Sequence, residues 1–330
     1  GANWAIEKGF GHSDTLRFIE DNGCLKSANP DVISERAYQR GMPQLGTLGS
    51  GNHFIEISKI SDIYDESIAD QLGLVKENVV VFIHTGSRGL GYQVCDDFIK
   101  ITLQATRKYG IDIPDRQLAC APLDSQEGSD YLGAMRGAAN FAFANRQVIS
   151  ALIDTAMMKT LNMSPNDMGM SLIWDIAHNI AKIENHDING KLHQVCVHRK
   201  GATRAFGPGH LDLPKEYRDI GQPVLIPGDM GTESYLAVGT SKAMLETFGS
   251  SCHGAGRVMS RTQAKKKSQG RNLYAEMAKA GIFVMAEGKS TMAEEMPDAY
   301  KNVTEVVNTM HNAGITRKVA RFTPMGVIKG

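Results

Sequence analysis

The chain has 330 residues, which is enough for one or two domains with a sizeable core. Hydrophobic residues make up 42% and charged residues 22%, as in an ordinary globular protein, and Lys plus Arg balance Asp plus Glu at 36 each. This balance argues against a uniformly basic nucleic-acid-binding protein, and the lack of a long apolar run argues against a membrane protein. Five cysteines without a Cys-x-x-Cys pair favour a reducing, cytoplasmic setting over a disulfide framework.

The apolar pattern predicts a mixture of strands and helices. The predicted elements are, in chain order, strands at 53–60 and 79–84, helices at 92–108 and 131–161, strands at 171–177, 192–198, 222–226 and 234–239, a helix just after Gly254–Gly256, a helix at 297–312 and a strand at 316–322. The strand at 79–84 is expected to be buried because its run is continuously apolar. Since strands and helices do not alternate regularly, an α+β fold is favoured over a doubly wound sheet. No linker-like segment divides residues 1–330, so a single domain is expected.

Four histidines lie in or beside glycine-rich or polar turns, next to predicted strands or helices. They occur in Gly49-Ser-Gly-Asn-His53, His84-Thr-Gly-Ser-Arg-Gly-Leu-Gly91, Asp175-Ile-Ala-His-Asn179 and Cys252-His-Gly-Ala-Gly-Arg257. Neutral imidazole is a common metal ligand, so His53 and His84 at two strand ends can converge on one ion, with His178 as a third ligand. The alternative is a structural hydrogen-bonding role for each, because the spacing matches no known zinc motif.

The glycine turn after His253 has a second possible use. Its backbone N–H groups can bind phosphate, and Arg257 and Arg261, four residues apart on the predicted helix, can clamp phosphate oxygens. A histidine in such a turn can attack a nucleotide α-phosphate and hold it as a phosphoramidate. A plain helix cap or hairpin is the alternative for the turn, and a solvated helix face is the alternative for the basic residues up to Arg271.

Taken together and in this order, the segments resemble the RtcB family of RNA-splicing ligases. The matching strings run from near residue 45 to the last residue and are Leu45-Gly-Thr-Leu-Gly-Ser-Gly-Asn-His-Phe-Ile-Glu-Ile57, His84–Gly91, His178-Asn179, Arg199-Lys-Gly-Ala-Thr-Arg-Ala205, Pro227-Gly-Asp-Met-Gly-Thr232, Ser251–Arg261 and Val327-Ile-Lys-Gly330. Several long matches in a fixed order are more specific than any single motif.

The resemblance implies an RtcB-like mixed fold, with a β-rich central core flanked by helices in one catalytic domain, and a GTP- and manganese-dependent RNA ligase. In such ligases a histidine, here His253, accepts GMP and passes it to an RNA 3′-phosphate that arises from a 2′,3′-cyclic phosphate. Attack by a 5′-hydroxyl then joins the ends. Two manganese ions are implied in the active state, with ligands among His53, His84 and His178. The implied partners are RNA, such as tRNA halves or cleaved RNA ends, and an archease-type activator. The guanylate pocket carries over to Asn52, His53, Phe54, Ile55, Glu56, His178, Asn179, Pro227, Gly228, Asp229, Met230, Ser234, His253, Gly254, Ala255, Gly256 and Lys329.

The sequence departs from the family in two places. The family's manganese site also uses an aspartate and a cysteine in an Asp-Ile-Gly-Cys-Gly type of segment, and no such string precedes His53. We therefore expect an N-terminally truncated chain, or ligands from another polypeptide. The second departure is Asp229, which stands where many members carry serine.

Two functions other than an RNA ligase stay open. One is a catalytically incomplete fragment or paralogue that binds guanine nucleotide or RNA, and the other is a metal-dependent phosphoesterase.

Overall fold

A computed structural model describes the backbone of all 330 residues and every side chain except that of Lys289. The helices are α1 (Ala2–Glu7), α2 (Glu35–Gly41), α3 (Glu66–Gln71), α4 (Arg88–Lys108), α5 (Gln126–Leu161), α6 (Pro165–Met168), α7 (Ser241–Glu246), α8 (Arg261–Lys267), α9 (Leu273–Lys279), α10 (Lys289–Glu294) and α11 (Val303–Asn312). The strands are β1 (Phe54–Ile63), β2 (Val79–His84), β3 (His178–Ile188), β4 (Lys191–Arg204), β5 (Pro223–Ile226), β6 (Ser234–Gly239), β7 (Ser250–Cys252), β8 (Phe283–Ala286) and β9 (Thr316–Lys329).

The chain forms two compact units, each made of separate sequence segments. Residues 1–47 and 85–175 form a helical unit, and residues 48–84 and 176–330 form a sheet unit. The α+β prediction is confirmed, because the described strands all lie in the sheet unit, in mainly antiparallel sheets, whereas the two longest helices lie in the helical unit. That residues 1–330 form one catalytic domain stays a prediction. Within the part of the chain that is described, no helix combines the length and the apolar content needed to cross a bilayer.

Most of the predicted strands and helices are confirmed, with shifted ends. Residues 131–161 belong to one continuous helix, α5, and β9 extends well beyond the predicted strand at 316–322. The strand at 171–177 is wrong, since this segment makes only a single bridge, from Asp175 to Ile19. Packing rather than strand pairing buries its apolar residues, and Trp174 is the most enclosed of them. The helix at 297–312 is a short 3-10 turn followed by α11.

The core of the helical unit lies where α2, α4 and α5 pack together. Apolar residues recur on the inner faces of α4 and α5 at the three- and four-residue spacing that a helix requires. The buried side chains of this cluster are Ile33, Ala37, Leu90, Val94, Phe98, Ala134 and Ala138. Three of these buried residues are alanines, which lets the helices approach closely.

The sheet unit is built on a six-stranded sheet with the order β2-β1-β9-β6-β5, in which β8 also pairs with β9. The register places Phe54 opposite His84 and Ile55 opposite Ile328. The start of β1, the end of β2 and the end of β9 therefore meet at one end of the sheet. The expectation that β2 is buried is wrong, because it is an edge strand whose residues are exposed at Val79 and only partly buried beyond it.

A second sheet of three strands, in the order β3-β4-β7, brings distant histidines together. His178 begins β3 and lies opposite Thr203 of β4, and Cys252 at the end of β7 lies opposite Ala202. Because β4 pairs with both strands at neighbouring residues, His178 and the residue after Cys252 become neighbours. A register shift follows His178, and Asn179 there has a positive φ of 56°.

Candidate active site

A cavity of about 310 Å³ opens in the sheet unit where these strand ends meet. Such a volume suits a small organic ligand. Its walls combine apolar, acidic and basic groups, and the lining residues are Asn52, Phe54, Glu56, His84, Asn179, Lys200, Pro227, Gly228, Asp229, Met230, His253, Gly254, Ala255, Gly256, Arg257, Arg261, Glu295, Tyr300, Val327 and Lys329. Most of the predicted nucleotide-pocket residues are therefore together in one cavity.

The four histidines form a row along one side of this cavity. The ring centroids are 5.9 Å apart for His53 and His84, 5.1 Å for His84 and His178, and 4.5 Å for His178 and His253. They are supplied by the residue before β1, the last residue of β2, the first residue of β3 and the residue after β7. The expected convergence of His53, His84 and His178 is thus a property of the structure, whereas their role as metal ligands stays a prediction.

His84 lies near the middle of the row and is held in its neutral form. Burial lowers its pKa well below the usual histidine value, and the charges of His178, His53, His253 and Lys329 act in the same direction. Its Nδ1 atom is enclosed and has no hydrogen-bond partner among the described residues. A neutral imidazole with an enclosed, unused nitrogen is suited to binding a metal ion.

His253 follows β7 and opens a tight turn of small residues. Gly256 has a positive φ of 77°, which glycine adopts without strain. A side chain at Gly254 would lie 3.6 Å from the carbonyl oxygen of Pro227, so the turn runs along the neighbouring loop. Burial lowers the pKa of His253 as well, which leaves the imidazole neutral and nucleophilic near neutral pH.

The helix predicted just after Gly254–Gly256 is present, but it starts later than expected. Arg257 instead makes a single antiparallel bridge with Tyr300, and α8 begins only at Arg261. Ser260 and Gln263 form a capping box that fixes this start, because each side chain satisfies a backbone N–H group of the other residue. Arg257 and Arg261 are therefore not on one face of one helix. Both line the cavity nevertheless, and both contact Glu295.

At another wall of the cavity, a buried carboxyl group faces a buried amine. Glu56 accepts hydrogen bonds from the hydroxyls of Ser58 at 2.7 Å and Ser234 at 3.2 Å. Burial raises the pKa of Glu56 to about 7, and it lowers the pKa of Lys329 to about 8. The Lys329 amine lies 3.5 Å from the carbonyl oxygen of Gly51 and 5.4 Å from the centre of the Phe54 ring.

The family model described as tRNA-splicing ligase RtcB matches residues 1–330. The chain belongs to the RtcB family. Curated proteins named tRNA-splicing ligase RtcB are 53% identical in Archaeoglobus fulgidus, 52% in Pyrococcus abyssi and 51% in Methanococcus maripaludis, each over all of this chain. The chain spans 68%, 36% and 69% of the lengths of these three relatives, respectively.

Four residues that the RtcB resemblance assigned to the pocket are not among those lining the cavity. His53 and His178 lie beside it in the histidine row. Ser234 is fully buried behind Glu56, and it also accepts a hydrogen bond from the Gly228 amide at 3.3 Å. Ile55 points to the opposite face of β1 from Phe54 and Glu56, because side chains alternate along a strand.

Asp229, the departure from the serine of many RtcB members, is used by its own loop. One carboxylate oxygen accepts a hydrogen bond from the Gly231 amide at 2.8 Å, and the other accepts one from the Thr232 hydroxyl at 2.9 Å. Burial raises the pKa of Asp229 despite these hydrogen bonds. The aspartate therefore shapes the loop over Gly228–Thr232 while adding an acidic group to the cavity wall.

Sequence reasoning gave no role to several residues that line the cavity, namely Lys200, Glu295, Tyr300 and Val327. Lys200 and Val327 lie within the strings that carry the family resemblance, so a signal for them was present. Glu295 and Tyr300 lie in a segment that resembles no motif and are brought in by long-range packing. Tyr300 donates a short hydrogen bond to Glu295.

The residues present fit part of a manganese site. Imidazole nitrogens that share one first-row ion, at about 2.1 Å each, hold their ring centroids roughly 5 Å apart, close to the spacing observed here. Among the described residues, however, no group of three or more His, Cys, Asp or Glu side chains is arranged to hold one ion. The histidines form a row of imidazole rings rather than a closed ligand shell.

Proposed function

We propose that this protein is a GTP- and manganese-dependent RNA ligase that joins 2′,3′-cyclic phosphate or 3′-phosphate ends to 5′-hydroxyl ends through a guanylylated His253. The observation that carries this proposal is the position of His253. The centres of the His253 and His178 rings are 4.5 Å apart, and His253 lines a cavity that is also lined by the glycine turn, Arg257 and Lys200. Membership of the RtcB family supports an RNA ligase involved in tRNA splicing.

In the first step, an unprotonated nitrogen of His253 attacks the α-phosphorus of GTP. A phosphorus–nitrogen bond forms, the bond to the bridging oxygen breaks, and pyrophosphate leaves. Because the lowered pKa keeps the imidazole neutral, no proton has to be removed from the attacking nitrogen. The backbone N–H groups of the turn and the cationic side chains of Arg257 and Lys200 can stabilise the phosphate charge.

The later steps use the same phosphate site. An oxygen of the RNA 3′-phosphate attacks the phosphorus on His253, so that the phosphorus–nitrogen bond breaks and GMP becomes attached to the RNA end. The 5′-hydroxyl of the second RNA end then attacks the 3′-phosphorus, and GMP leaves. A 2′,3′-cyclic phosphate must first be opened by water to give the 3′-phosphate.

The wall formed by Glu56, Asp229 and Lys329 suits the guanosine part of the nucleotide. It offers hydrogen-bond acceptors and a donor within an enclosed site, where such contacts discriminate strongly. Phe54 and Met230 add apolar surface that can contact the base. This division assigns the phosphates to the His253 side and the nucleoside to the carboxylate side.

His53, His84 and His178 would hold manganese. When bound, the ion would neutralise charge on the phosphates and on the leaving pyrophosphate. The described ligands form an incomplete set, so further ligands are part of the proposal. RNA ends such as tRNA halves, an archease-type activator and a cytoplasmic location also belong to it.

Labelling with GTP tests the proposal. The full-length protein is incubated with α-labelled GTP and manganese, and we expect an acid-labile label that His253→Ala abolishes. His193→Ala is the control, because His193 is an exposed residue of β4 outside the cavity. Binding of GMP without any label on the wild-type protein would contradict the ligase proposal and favour a nucleotide-binding protein without covalent activity.

A further inference from the structure

Glu295 contacts three other cavity residues, of which two, Arg257 and Arg261, lie more than thirty positions before it in the chain. Its side chain is completely buried, and its carboxylate lies 3.2 Å from Nη1 of Arg257 and 3.3 Å from Nε of Arg261. The Tyr300 hydroxyl donates a hydrogen bond to the other carboxylate oxygen. All four residues line the cavity.

A buried carboxylate is costly unless cations and hydrogen-bond donors compensate its charge. Two guanidinium groups and one hydroxyl do so here. Arg257 also donates to the carbonyl oxygens of Glu294 at 2.6 Å and Met259 at 3.1 Å. Because the guanidinium is planar and its donors have a fixed geometry, these contacts determine the direction in which Arg257 points.

The charges at this cluster leave an excess of one positive charge, because three cations pair with two acids. Arg257 and Arg261 share Glu295, while Arg261 at 3.5 Å and Lys265 at 2.6 Å share Glu294. The side chain of Arg261 remains 54% exposed, so it can still contact a ligand at the rim of the cavity. The cluster therefore presents oriented cations toward the space that, under the proposed function, contains nucleotide and RNA phosphates.

We propose that Glu295 is a positioning residue, which orients Arg257 and Arg261 for phosphate binding without contacting the substrate. The inference rests on the proposed function and goes beyond it, because it assigns a role to an acid at a phosphate site. An acid at a phosphate site would by itself repel the ligand. Glu295 compensates for this by holding two arginines in place, because rigidly placed cations bind better than mobile ones.

A neighbouring ion-pair cluster provides a matched control. Asp298 also pairs with two cations, Lys267 at 3.0 Å and Arg271 at 3.0 Å. None of these three side chains is among the cavity-lining residues that the structure describes. Glu295→Gln and Asp298→Asn therefore make the same chemical change in two similar clusters, of which only one faces the cavity.

The experiment measures GMP binding by calorimetry and labelling of His253 over a range of GTP concentrations in the full-length protein. For Glu295→Gln we expect GMP binding to weaken by about tenfold and the half-saturating GTP concentration to rise by about tenfold. Labelling at saturating GTP should stay within about threefold of wild type. For Asp298→Asn we expect changes within about twofold. Adding Glu295→Gln to Arg257→Ala should have little further effect, because the carboxylate acts through the arginines.

Equal behaviour of Glu295→Gln and Asp298→Asn would overturn the inference, and so would fully additive effects in the double variant. If Glu295→Gln does not fold, Tyr300→Phe replaces it. This variant removes only the hydroxyl that bridges Glu295 and Arg257, and binding unchanged from wild type would also overturn the inference. Failure of the ligase proposal can be distinguished from failure of this inference. If the wild-type protein is not labelled, the ligase proposal fails, and GMP binding still tests the role of Glu295.

Discussion

Arg199 and Glu184 form a two-point ion pair across β3 and β4, with nitrogen–oxygen distances of 2.7 and 2.8 Å. Arg199 also donates to the Phe248 carbonyl oxygen and the Ser250 hydroxyl, each at 2.9 Å. These contacts fix the turn that leads into β7, and β7 ends one residue before His253. The pair therefore links the β3-β4 hairpin to the strand that directly precedes His253.

We predict that Glu184→Gln destabilises the protein by about 3 kcal/mol or more, because it leaves a buried guanidinium without its counter-charge. The two side chains are 1% and 7% exposed. The control is Glu77→Gln, which removes a surface partner of Lys59 that is 63% exposed and should cost less than about 1 kcal/mol. Urea unfolding measures both, and equal costs would contradict the prediction.

The same pair should show a defined pH dependence. Burial opposes ionisation of Glu184, but the hydrogen bond and charge of Arg199 outweigh it and lower its pKa below the usual 4.5. The stabilisation is therefore present above about pH 4.5 and is lost as the pH falls through the lower folded-state value. The stability difference between wild type and Glu184→Gln should shrink in acid, as followed by urea unfolding. A difference that grows in acid would contradict this assignment.

Glu56 should act in the opposite direction. The folded protein keeps its proton up to about pH 7, whereas an unfolded glutamate loses its proton near 4.5. Stability therefore falls as the pH rises between these values, by a contribution of the order of 3 kcal/mol. Glu56→Gln should remove this contribution when unfolding is measured at about pH 5 and about pH 8. The exposed Glu246→Gln should behave like wild type, and an unaltered pH profile for Glu56→Gln would refute the prediction.

Lys329→Ala should weaken GTP use through lost contacts in the pocket. Loss of a charge-assisted hydrogen bond corresponds to roughly 1.5–3 kcal/mol, so half-saturating GTP should rise about tenfold or more. Lys318→Ala is the control, since Lys318 lies on the same strand but bonds Asn308 at 3.0 Å, away from the cavity. Unchanged labelling at limiting GTP in Lys329→Ala would count against this role.

Manganese binding can be measured without activity by the electron paramagnetic resonance signal of the free ion. We expect His84→Asn to weaken manganese binding by at least about tenfold, because a neutral, enclosed nitrogen donor is lost. His193→Asn, in an exposed part of β4, should bind like wild type. Identical binding by the two variants would show that His84 is not a ligand.

The sequence by itself determined the chemistry-bearing segments and most of the strands. Apolar periodicity is a local signal, and the strings around His53, His84 and His253 are specific in their order. A helix start at Arg261 was also encoded, in the Ser260–Gln263 capping box, but the preceding glycine turn suggested an earlier start. The false strand at 171–177 shows the limit of local signals, since an apolar run does not state whether a partner strand is available.

Only the tertiary structure decided which of these segments meet. The pairing of Phe54 with His84, and of β4 with both β3 and β7, depends on contacts between residues far apart in the chain. Glu295 is the clearest case, because nothing in its own segment marks it as part of a site. Its role follows from the burial of one carboxylate beside two arginines more than thirty positions away, and the need to compensate a buried charge acts only once the chain has folded.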